Sequence, residues 1–278
     1  MPFRTILTVT GPDLGDEDLD VAAAFCEDAN RHLSVLVITP AAPPPMGEFA
    51  AMVSEAWMQE RQEDMERLNK RSEAVNQFLA RAQLSADVTT EYPELAWTDE
   101  AIGRRARYAD LTLAGPELLG TRTLKEKVIE GALFSSGRPL LLMPQRLKAP
   151  FEPRRVMIAW DARPEAARAV HEALEFLTQA GEVRVVLVDP VESETGHGAE
   201  PGADIAAYLA RHGVKVTVDC LPSEGHSVTS VLRRHAVANA AELLVAGAYG
   251  HSRLRERVFG GVTKSLLDDP QMPVLMAR

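Results

Sequence analysis

The sequence predicts an α/β fold of two tandem units, each an open parallel sheet of five strands with helices on both faces. Three observations lead to this prediction. Short apolar runs alternate with helical patterns, the same order of elements occurs twice, and a stretch rich in proline and charge separates the two copies. Such alternation is typical of parallel sheets, because parallel strands need long crossover connections.

The first half contains five runs that predict strands. They are rich in Val, Ile, Leu and Thr and are mostly unbroken by polar residues, as expected for strands buried on both faces. These runs are Arg4–Thr10, Leu33–Thr39, Ala86–Tyr92, Asp110–Gly115 and Pro139–Pro144.

The second half contains five runs of the same kind. Its first helix is indicated by Pro164 at a first-turn position, followed by apolar residues at helical spacing. The five predicted strands are Arg154–Trp160, Glu182–Asp189, Val214–Cys220, Glu242–Gly247 and Pro273–Ala277.

The two halves match in residues as well as in order. The run ADLTLAG at Ala109–Gly115 aligns with AELLVAG at Ala241–Gly247. We therefore predict a tandem duplication with domains at residues 1–146 and 153–278. The proline-containing stretch Pro144–Pro153 is the expected linker.

Composition narrows the classes of function. A net charge of −10 over 278 residues argues against a general nucleic-acid surface. Only Cys26 and Cys220 are present, in different halves, so we expect a reducing compartment and no disulfide framework. The N-terminus lacks a signal-peptide pattern, and no apolar run approaches the roughly 18 residues that span a bilayer. We therefore expect a cytoplasmic protein with neither membrane nor nucleic acid as partner.

The stretch GAYGHSRLRERVFGG, residues Gly247–Gly261, follows the fourth strand of the second unit. Open α/β sheets bind ligands at the carboxyl edge, where the strand order reverses. The next run, Gly260–Asp269, predicts a helix, and backbone N–H groups at a helix N-terminus bind anions that glycine allows to come close. Spacing alone leaves two interpretations open: a phosphate site, or turns beside a solvated arginine face.

This pattern resembles the universal stress protein family, in particular its tandem two-domain members. That family carries Gly-x-x-Gly, nine residues and then Gly-Ser/Thr after its fourth strand. Here Gly247 and Gly250 are followed by nine residues and then by Gly260 and Gly261. The resemblance covers nearly the whole chain and implies the strand order 3-2-1-4-5 in each unit. In nucleotide-binding members the motif holds the ribose and phosphates of ATP.

The resemblance implies an ATP site in the second unit. Asp161 corresponds to a family aspartate near the adenosine, although a turn-forming role before the helix is also open. Val188 corresponds to the hydrophobic position that packs on the adenine, although an ordinary core valine is equally compatible. The phosphate-loop positions are Gly247, Gly250, Gly260, Gly261, Val262 and Thr263. Gly261 stands where the family has Ser or Thr, which removes one hydroxyl donor and leaves the backbone donors.

The first half departs from the motif. Leu118 replaces the second motif glycine, Glu126 and Lys127 replace the last two, and Thr10 replaces the aspartate of the first strand. A carboxylate beside a phosphate is repulsive, and side chains block access to the backbone. We therefore expect one nucleotide site, in the second domain.

Three functions follow as hypotheses. The first is a stress-response protein that binds ATP in a regulatory or sensing role. The second is a slow ATPase in which Asp161 or Thr263 helps to place Mg²⁺, and the third is a nucleotide-independent association protein. The seven histidines form no i, i+4 pair and no nucleophile motif occurs, so we expect neither a metal site nor catalytic residues. The apolar last strands are expected to pair the domains as an internal pseudo-dimer, and whole chains could associate as a homodimer.

Overall fold

A computed structural model describes residues 3–27, 31–44, 50–145, 151–191, 200–248 and 261–278. The chain divides into two compact units. The N-terminal unit contains Phe3–Arg138, and the C-terminal unit contains Pro139–Gln145 together with Phe151–Arg278.

The N-terminal unit has a parallel sheet in the order β3-β2-β1-β4. Its second crossover is a 33-residue helix, α2, and the apolar positions Leu68, Val75 and Leu79 of that helix are buried. Short 3₁₀ and π segments precede α3 and follow α5. The strands are β1 (Thr5–Thr10), β2 (His32–Ile38), β3 (Ala86–Glu91) and β4 (Leu111–Ala114), and the helices are α1 (Glu17–Glu27), α2 (Ala50–Ala82), α3 (Thr98–Ala106), α4 (Pro116–Gly120) and α5 (Thr123–Glu130).

The C-terminal unit has a sheet in the order β5-β10-β9-β6-β7-β8. Every pair of neighbours in this sheet is parallel except β5 with β10, which are antiparallel. The strands are β5 (Leu140–Leu142), β6 (Arg155–Ala159), β7 (Glu182–Val188), β8 (Val216–Leu221), β9 (Leu243–Gly247) and β10 (Val274–Ala277), and the helices are α6 (Pro164–Glu172), α7 (Leu174–Gln179), α8 (Ala203–Arg211), α9 (Val228–Ala238) and α10 (Gly261–Asp268).

The mostly parallel α/β class is confirmed, and so is the predicted order 3-2-1-4-5 within β6–β10. The size of the sheets needs a correction. The last strand of the first repeat, β5, is grouped with the C-terminal unit, so the sheet of that unit has six strands instead of the predicted five. All three residues of β5 are buried, and the strand pairs with β10, for example through Leu142 opposite Val274. An apolar strand of this kind needs a partner strand, and it finds one in β10.

The third strands of the two repeats have the same pattern of burial. In both β3 and β8 the second and fifth residues are exposed and the other four are half-buried, whereas the central β4 and the penultimate β10 are buried throughout. Partial exposure is expected for an outer strand, which has a neighbouring strand on one side only. The duplication read from the sequence is therefore visible in the burial of the strands.

The predicted first helix of the second half is divided in two. Helix α6 ends at Glu172 and α7 begins at Leu174, because the backbone of Ala173 leaves the helical region with ψ at −2°. The apolar spacing still has its expected effect, since Ala166, Ala169 and Leu177 are buried against the unit's core.

Candidate functional site

The candidate site lies at the carboxyl edge of the C-terminal unit's sheet, between β6 and β9. These two strands are parallel neighbours, with Ala159 opposite Ala246. The next residues along each strand bring Asp161 and Gly247 to the same edge. This is the point at which the strand order reverses, because β6 connects outward to β7 while β9 connects to β10 on the other side.

Gly247 lies against the first turn of α6. A Cβ atom added to Gly247 would stand 2.6 Å from the backbone nitrogen of Ala166 and 2.7 Å from the carbonyl carbon of Glu165. Only glycine allows this approach of helix to strand. The residue that the family resemblance assigns to the phosphate loop therefore also has a packing role that needs no ligand.

Asp161 forms the turn that leads from β6 into α6. Its Oδ1 accepts a hydrogen bond from the backbone N–H of Arg163 at 3.1 Å, and Ala162 between them has a φ of 59°. The side chain of Asp161 nevertheless remains 55% exposed. Both interpretations of Asp161 therefore have a structural basis, since the carboxylate shapes the turn and is accessible from the solvent.

Val188 ends β7 and is half-buried, unlike the three fully buried residues before it in the strand. The following residue, Asp189, has a φ of 47°, and its Oδ1 accepts a hydrogen bond from the backbone N–H of Ser223 at 2.9 Å. Hydrogen bonds from the Ser223 side chain and backbone hold the pKa of Asp189 below its usual range. This link between the ends of β7 and β8 was missed from the sequence, where an aspartate directly after a strand was its only signal.

Helix α10 begins at Gly261, and its N-terminus lies toward the carboxyl edge because α10 is the crossover from β9 to β10. Of the atoms that the structure describes outside this helix, none lies within 4 Å of a Cβ added to Gly261. Val262 is half-buried, and Thr263 is only 6% exposed, so Thr263 offers a ligand its backbone more readily than its side chain. Gly250 and Gly260 lie outside the described residues.

The other end of α10 is anchored by α9. The guanidinium of Arg233 donates hydrogen bonds to the carbonyl oxygens of Ser265 at 2.9 Å and Asp269 at 2.7 Å. A cation there satisfies carbonyl groups that a helix C-terminus leaves without partners. This contact holds the helix in place from the end opposite to the candidate site.

The corresponding edge of the N-terminal unit is filled by its own side chains. Arg71 of α2 is 8% exposed, and its guanidinium donates to the Thr10 hydroxyl at 3.3 Å, to the Asp16 carboxylate at 2.7 Å and to the Gly15 carbonyl oxygen. Thr10 ends β1 and is the counterpart of Asp161. Sequence reasoning missed Arg71, although its place among the buried apolar positions of α2 was a usable signal.

The positions that replace the motif's last two glycines in the first repeat lie inside α5. The backbone N–H of Glu126 donates to the Arg122 carbonyl oxygen at 3.2 Å, so it takes part in helical hydrogen bonding. The ammonium group of Lys127 pairs with Asp99 at 2.9 Å and with Glu130 at 3.2 Å. These side chains thus stabilise the unit itself.

Metal-ligand clusters and membrane-spanning helices are two further features that could indicate a function. In the part of the chain that the structure describes, there is no group of three or more His, Cys, Asp or Glu side chains that could hold a metal ion. Within the same residues, each helix is either too short or too polar to cross a bilayer.

These features define the class of protein: a duplicated, doubly wound α/β protein with an accessible strand-order switch point in its second copy. Residues 152–278 match the model of the universal stress protein family. The match covers the C-terminal unit from Glu152 to its last residue.

Individual relatives agree with the match. The chain is 27% identical over 155 residues to universal stress protein Slr1230 of Synechocystis sp., which covers 54% of the chain and 50% of that protein. The chain therefore spans about half the length of this relative.

Solved structures share the fold along the whole chain. A universal stress protein from Archaeoglobus fulgidus has a TM-score of 0.65 at 16% identity, covering 99% of this chain and 96% of its own. A functionally unknown protein from Pseudomonas aeruginosa PAO1 has a TM-score of 0.55 at 16% identity, with 98% and 92% covered. At these identities the likeness is one of fold.

Proposed function

We propose that the C-terminal unit binds ATP between β6 and β9, and that the protein acts in a cytoplasmic stress response as a nucleotide sensor or regulator. One observation carries the proposal. The edge that is filled by Arg71 and its partners in the N-terminal unit has an exposed carboxylate, Asp161, in the C-terminal unit. The family of residues 152–278 supports the stress-response part of the proposal.

The described residues fit the parts of a nucleotide. Val188 presents a half-buried apolar side chain suited to one face of an adenine, and the Asp161 carboxylate can accept hydrogen bonds from the adenosine. At the start of α10, the space beside Gly261 lets a phosphate approach the backbone N–H groups of Val262 and Thr263. In the proposal Gly247, Gly250 and Gly260 supply the rest of the phosphate loop.

Binding is proposed in preference to turnover. Asp161 is the carboxylate at the switch point, and the backbone N–H of Arg163 already holds it in a turn. A carboxylate that is fixed as a turn acceptor is poorly placed to act as a general base for an attacking water. Incubation with labelled ATP should therefore release phosphate no faster than the solution without protein.

The decisive experiment measures bound nucleotide. The full chain is purified without added nucleotide and denatured, and the supernatant is analysed for ATP; the apo protein is then titrated with ATP by calorimetry. We expect one ATP per chain. The absence of ATP in both measurements would favour a nucleotide-independent association protein, and two ATP per chain would contradict the assignment to one unit.

A pair of variants at Gly261 separates binding from folding. Gly261→Glu should fold normally, since the position is open and an acidic residue at a helix N-terminus is favourable. Its charge should nevertheless weaken ATP binding by about tenfold or more, the value of one charge-assisted hydrogen bond. Gly261→Ser, which restores the hydroxyl of the family motif, should bind ATP at least as tightly as the wild type. Equal affinities for the two variants would argue against a phosphate at α10.

A further inference from the structure

Helix α10 is held in the C-terminal unit by a side chain of its neighbour, α9. Nη2 of Arg233 on α9 donates one hydrogen bond to the carbonyl oxygen of Ser265 at 2.9 Å and another to that of Asp269 at 2.7 Å. Helix α10 has eight residues, Gly261–Asp268, and is therefore about 12 Å long. In a helix this short, a shift at one end moves the other end as well, so the bonds at its C-terminus also control the position of Gly261.

Helix α9 is in turn tied to the sheet by polar side chains. Nε2 of His235 on α9 lies 2.9 Å from Oδ2 of Asp219 on β8, and the guanidinium of Arg184 on β7 donates to the same oxygen at 3.1 Å. Burial raises the pKa of Asp219, but hydrogen bonds from His235 and Arg184 outweigh burial, so this pKa lies below its ordinary value. The carboxylate is therefore charged at neutral pH, and bonds to a charged acceptor are stronger than neutral ones. Helix α9 thus connects β7, which ends in Val188, to α10.

The first repeat holds its corresponding helices together in a different way. There α3 packs directly on the π segment that follows α5: a Cβ atom added to Gly103 of α3 would stand 3.1 Å from the Gly131 carbonyl oxygen. In the alignment of the two repeats, Ala101 is the counterpart of Arg233, and it is a buried residue without a hydrogen-bond donor in its side chain. Close packing of backbones fixes the helices of the first repeat, whereas the second repeat uses the reach of one arginine at this place.

We propose that Arg233 is a positioning residue for the nucleotide: without touching ATP, it holds α10 where the N–H groups at the N-terminus of this helix can bind phosphate. This inference rests on the proposed binding of ATP, and it adds a residue that lies outside the glycine motif. His235 and Asp219 act behind Arg233, since they fix the helix that carries it. The effect is reciprocal, because a ligand that favours one position of α10 is favoured in turn by the contacts that hold that position.

The affinity for ATP tests this role in a pair of adjacent variants. Arg233→Met keeps most of the stem but removes the donors, and the control Arg234→Met removes the same charge from the exposed neighbour on α9. Any long-range attraction of ATP therefore changes to a similar extent in both full-length variants. By calorimetry we expect Arg233→Met to bind ATP about tenfold more weakly than the control, within the usual range for coupling between sites. Equal affinities of the two variants would overturn the proposal.

A conservative variant separates positioning from a general loss of folding. Arg233→Lys retains a donor that can reach a carbonyl oxygen, so it should recover part of the affinity that Arg233→Met loses. Each variant is titrated well below its own thermal midpoint, so that the chain stays folded during the measurement. If Arg233→Met does not fold, Arg233→Lys is compared with Arg234→Lys. Weaker binding by Arg233→Lys would then support the role, and equal binding would overturn it.

Hydrogen exchange tests the hold on α10 without a nucleotide. In Arg233→Met the amides of α10 should exchange about tenfold faster than in Arg234→Met, the effect of one lost hydrogen bond on local opening. Unchanged exchange in α10 would overturn the proposal. If the wild type binds no ATP, the proposed function fails, while exchange still decides whether Arg233 holds α10. If the wild type and Arg233→Met bind ATP equally well, the proposed function stands and the positioning role is overturned.

Discussion

Gly247 and Gly115 occupy the same place in the two repeats, and in both the immediate reason for glycine is contact with the backbone of a helix. At Gly247 the neighbour is the nitrogen of Ala166, and at Gly115 it is the backbone and carboxylate of Asp18. A motif glycine that survives in a repeat without the rest of the motif is explained by this packing. Its presence alone is therefore weak evidence for a nucleotide, whereas within the described residues nothing outside its own helix lies within 4 Å of a Cβ added to Gly261.

Replacement of Gly247 by alanine should therefore destabilise the fold. The added Cβ would press on the backbone of α6, and backbone cannot rotate out of the way as a side chain can, so we expect a loss of about 1–3 kcal/mol in the free energy of unfolding. The matched control, Gly261→Ala, adds the same methyl group in open space at the start of α10 and should be neutral or slightly stabilising. Urea unfolding of both variants measures the difference, and equal stabilities would contradict the packing role.

At the scale of elements, helix α2 does more than connect β2 to β3. It carries two arginines one turn apart, and these have opposite environments. Arg71 is buried at the end of β1, whereas Arg67 is 54% exposed and pairs with Asp13, itself 81% exposed, and with Asp64. Buried and exposed ion pairs differ in their contribution to stability, because removal of a buried partner leaves polar groups without hydrogen bonds.

The two arginines provide a direct comparison. Arg71→Met retains most of the volume but leaves the Thr10 hydroxyl and the Gly15 carbonyl without their donor, so we expect a loss of about 2 kcal/mol in the free energy of unfolding. Arg67→Met should cost less than Arg71→Met, because the pair of Arg67 with Asp13 lies in solvent and the buried Asp64 keeps the hydrogen bond from the Tyr92 hydroxyl at 2.7 Å. Chemical denaturation of the two variants gives both values. A larger loss of stability in Arg67→Met than in Arg71→Met would contradict the conclusion that the hydrogen bonds of Arg71 stabilise this edge of the sheet.

Several elements were predictable from the sequence because their signals are local. Apolar runs gave the strands, and the aligned segments at Ala109–Gly115 and Ala241–Gly247 gave the duplication. The two apolar last strands were expected to meet, and β5 does pair with β10, but an apolar run alone does not specify the antiparallel register. Asp18 was not predicted because its carboxylate accepts a hydrogen bond from the backbone of Glu117, which lies 99 residues away. Contacts of this kind depend on the tertiary fold and have no signature in the spacing of residues.

At the scale of the whole molecule, the two repeats share a fold and differ in the side chains that lie at the carboxyl edge of the sheet. The N-terminal unit satisfies its carboxyl edge with Arg71, Asp18 and Glu117, all supplied by its own helices. The C-terminal unit carries the family match and the accessible edge. The association of the repeats as an internal pseudo-dimer, and of whole chains as a homodimer, stays a prediction.

The pH dependence of stability tests whether the N-terminal unit gains or loses stability from its buried carboxylate, Asp18. Burial raises the pKa of Asp18 to about 6 from an ordinary value of 3.8. Backbone hydrogen bonds from Leu118 and Glu117 lower this pKa, and the negative charges of Glu117 and Glu17 raise it by smaller amounts. Because the folded pKa exceeds the unfolded one, the folded chain holds the proton more tightly. Ionised Asp18 therefore costs stability above about pH 6, on the order of 3 kcal/mol at most, and this cost disappears as the pH falls to about 4.

The difference in unfolding free energy between the wild type and Asp18→Asn isolates this contribution, because all other titrating groups are shared. We expect the wild type to gain on the variant as the pH falls from 7 to 4, in the direction opposite to ordinary acid denaturation. If the difference instead stays nearly flat over this range, the two backbone hydrogen bonds offset burial and the folded pKa of Asp18 lies at or below 3.8. In that case Asp18 would favour its charged form, as an anion bound to the same donors would. Denaturant titrations at pH 4, 5, 6 and 7 therefore decide whether the N-terminal unit holds its internal carboxylate at a cost or with a net gain.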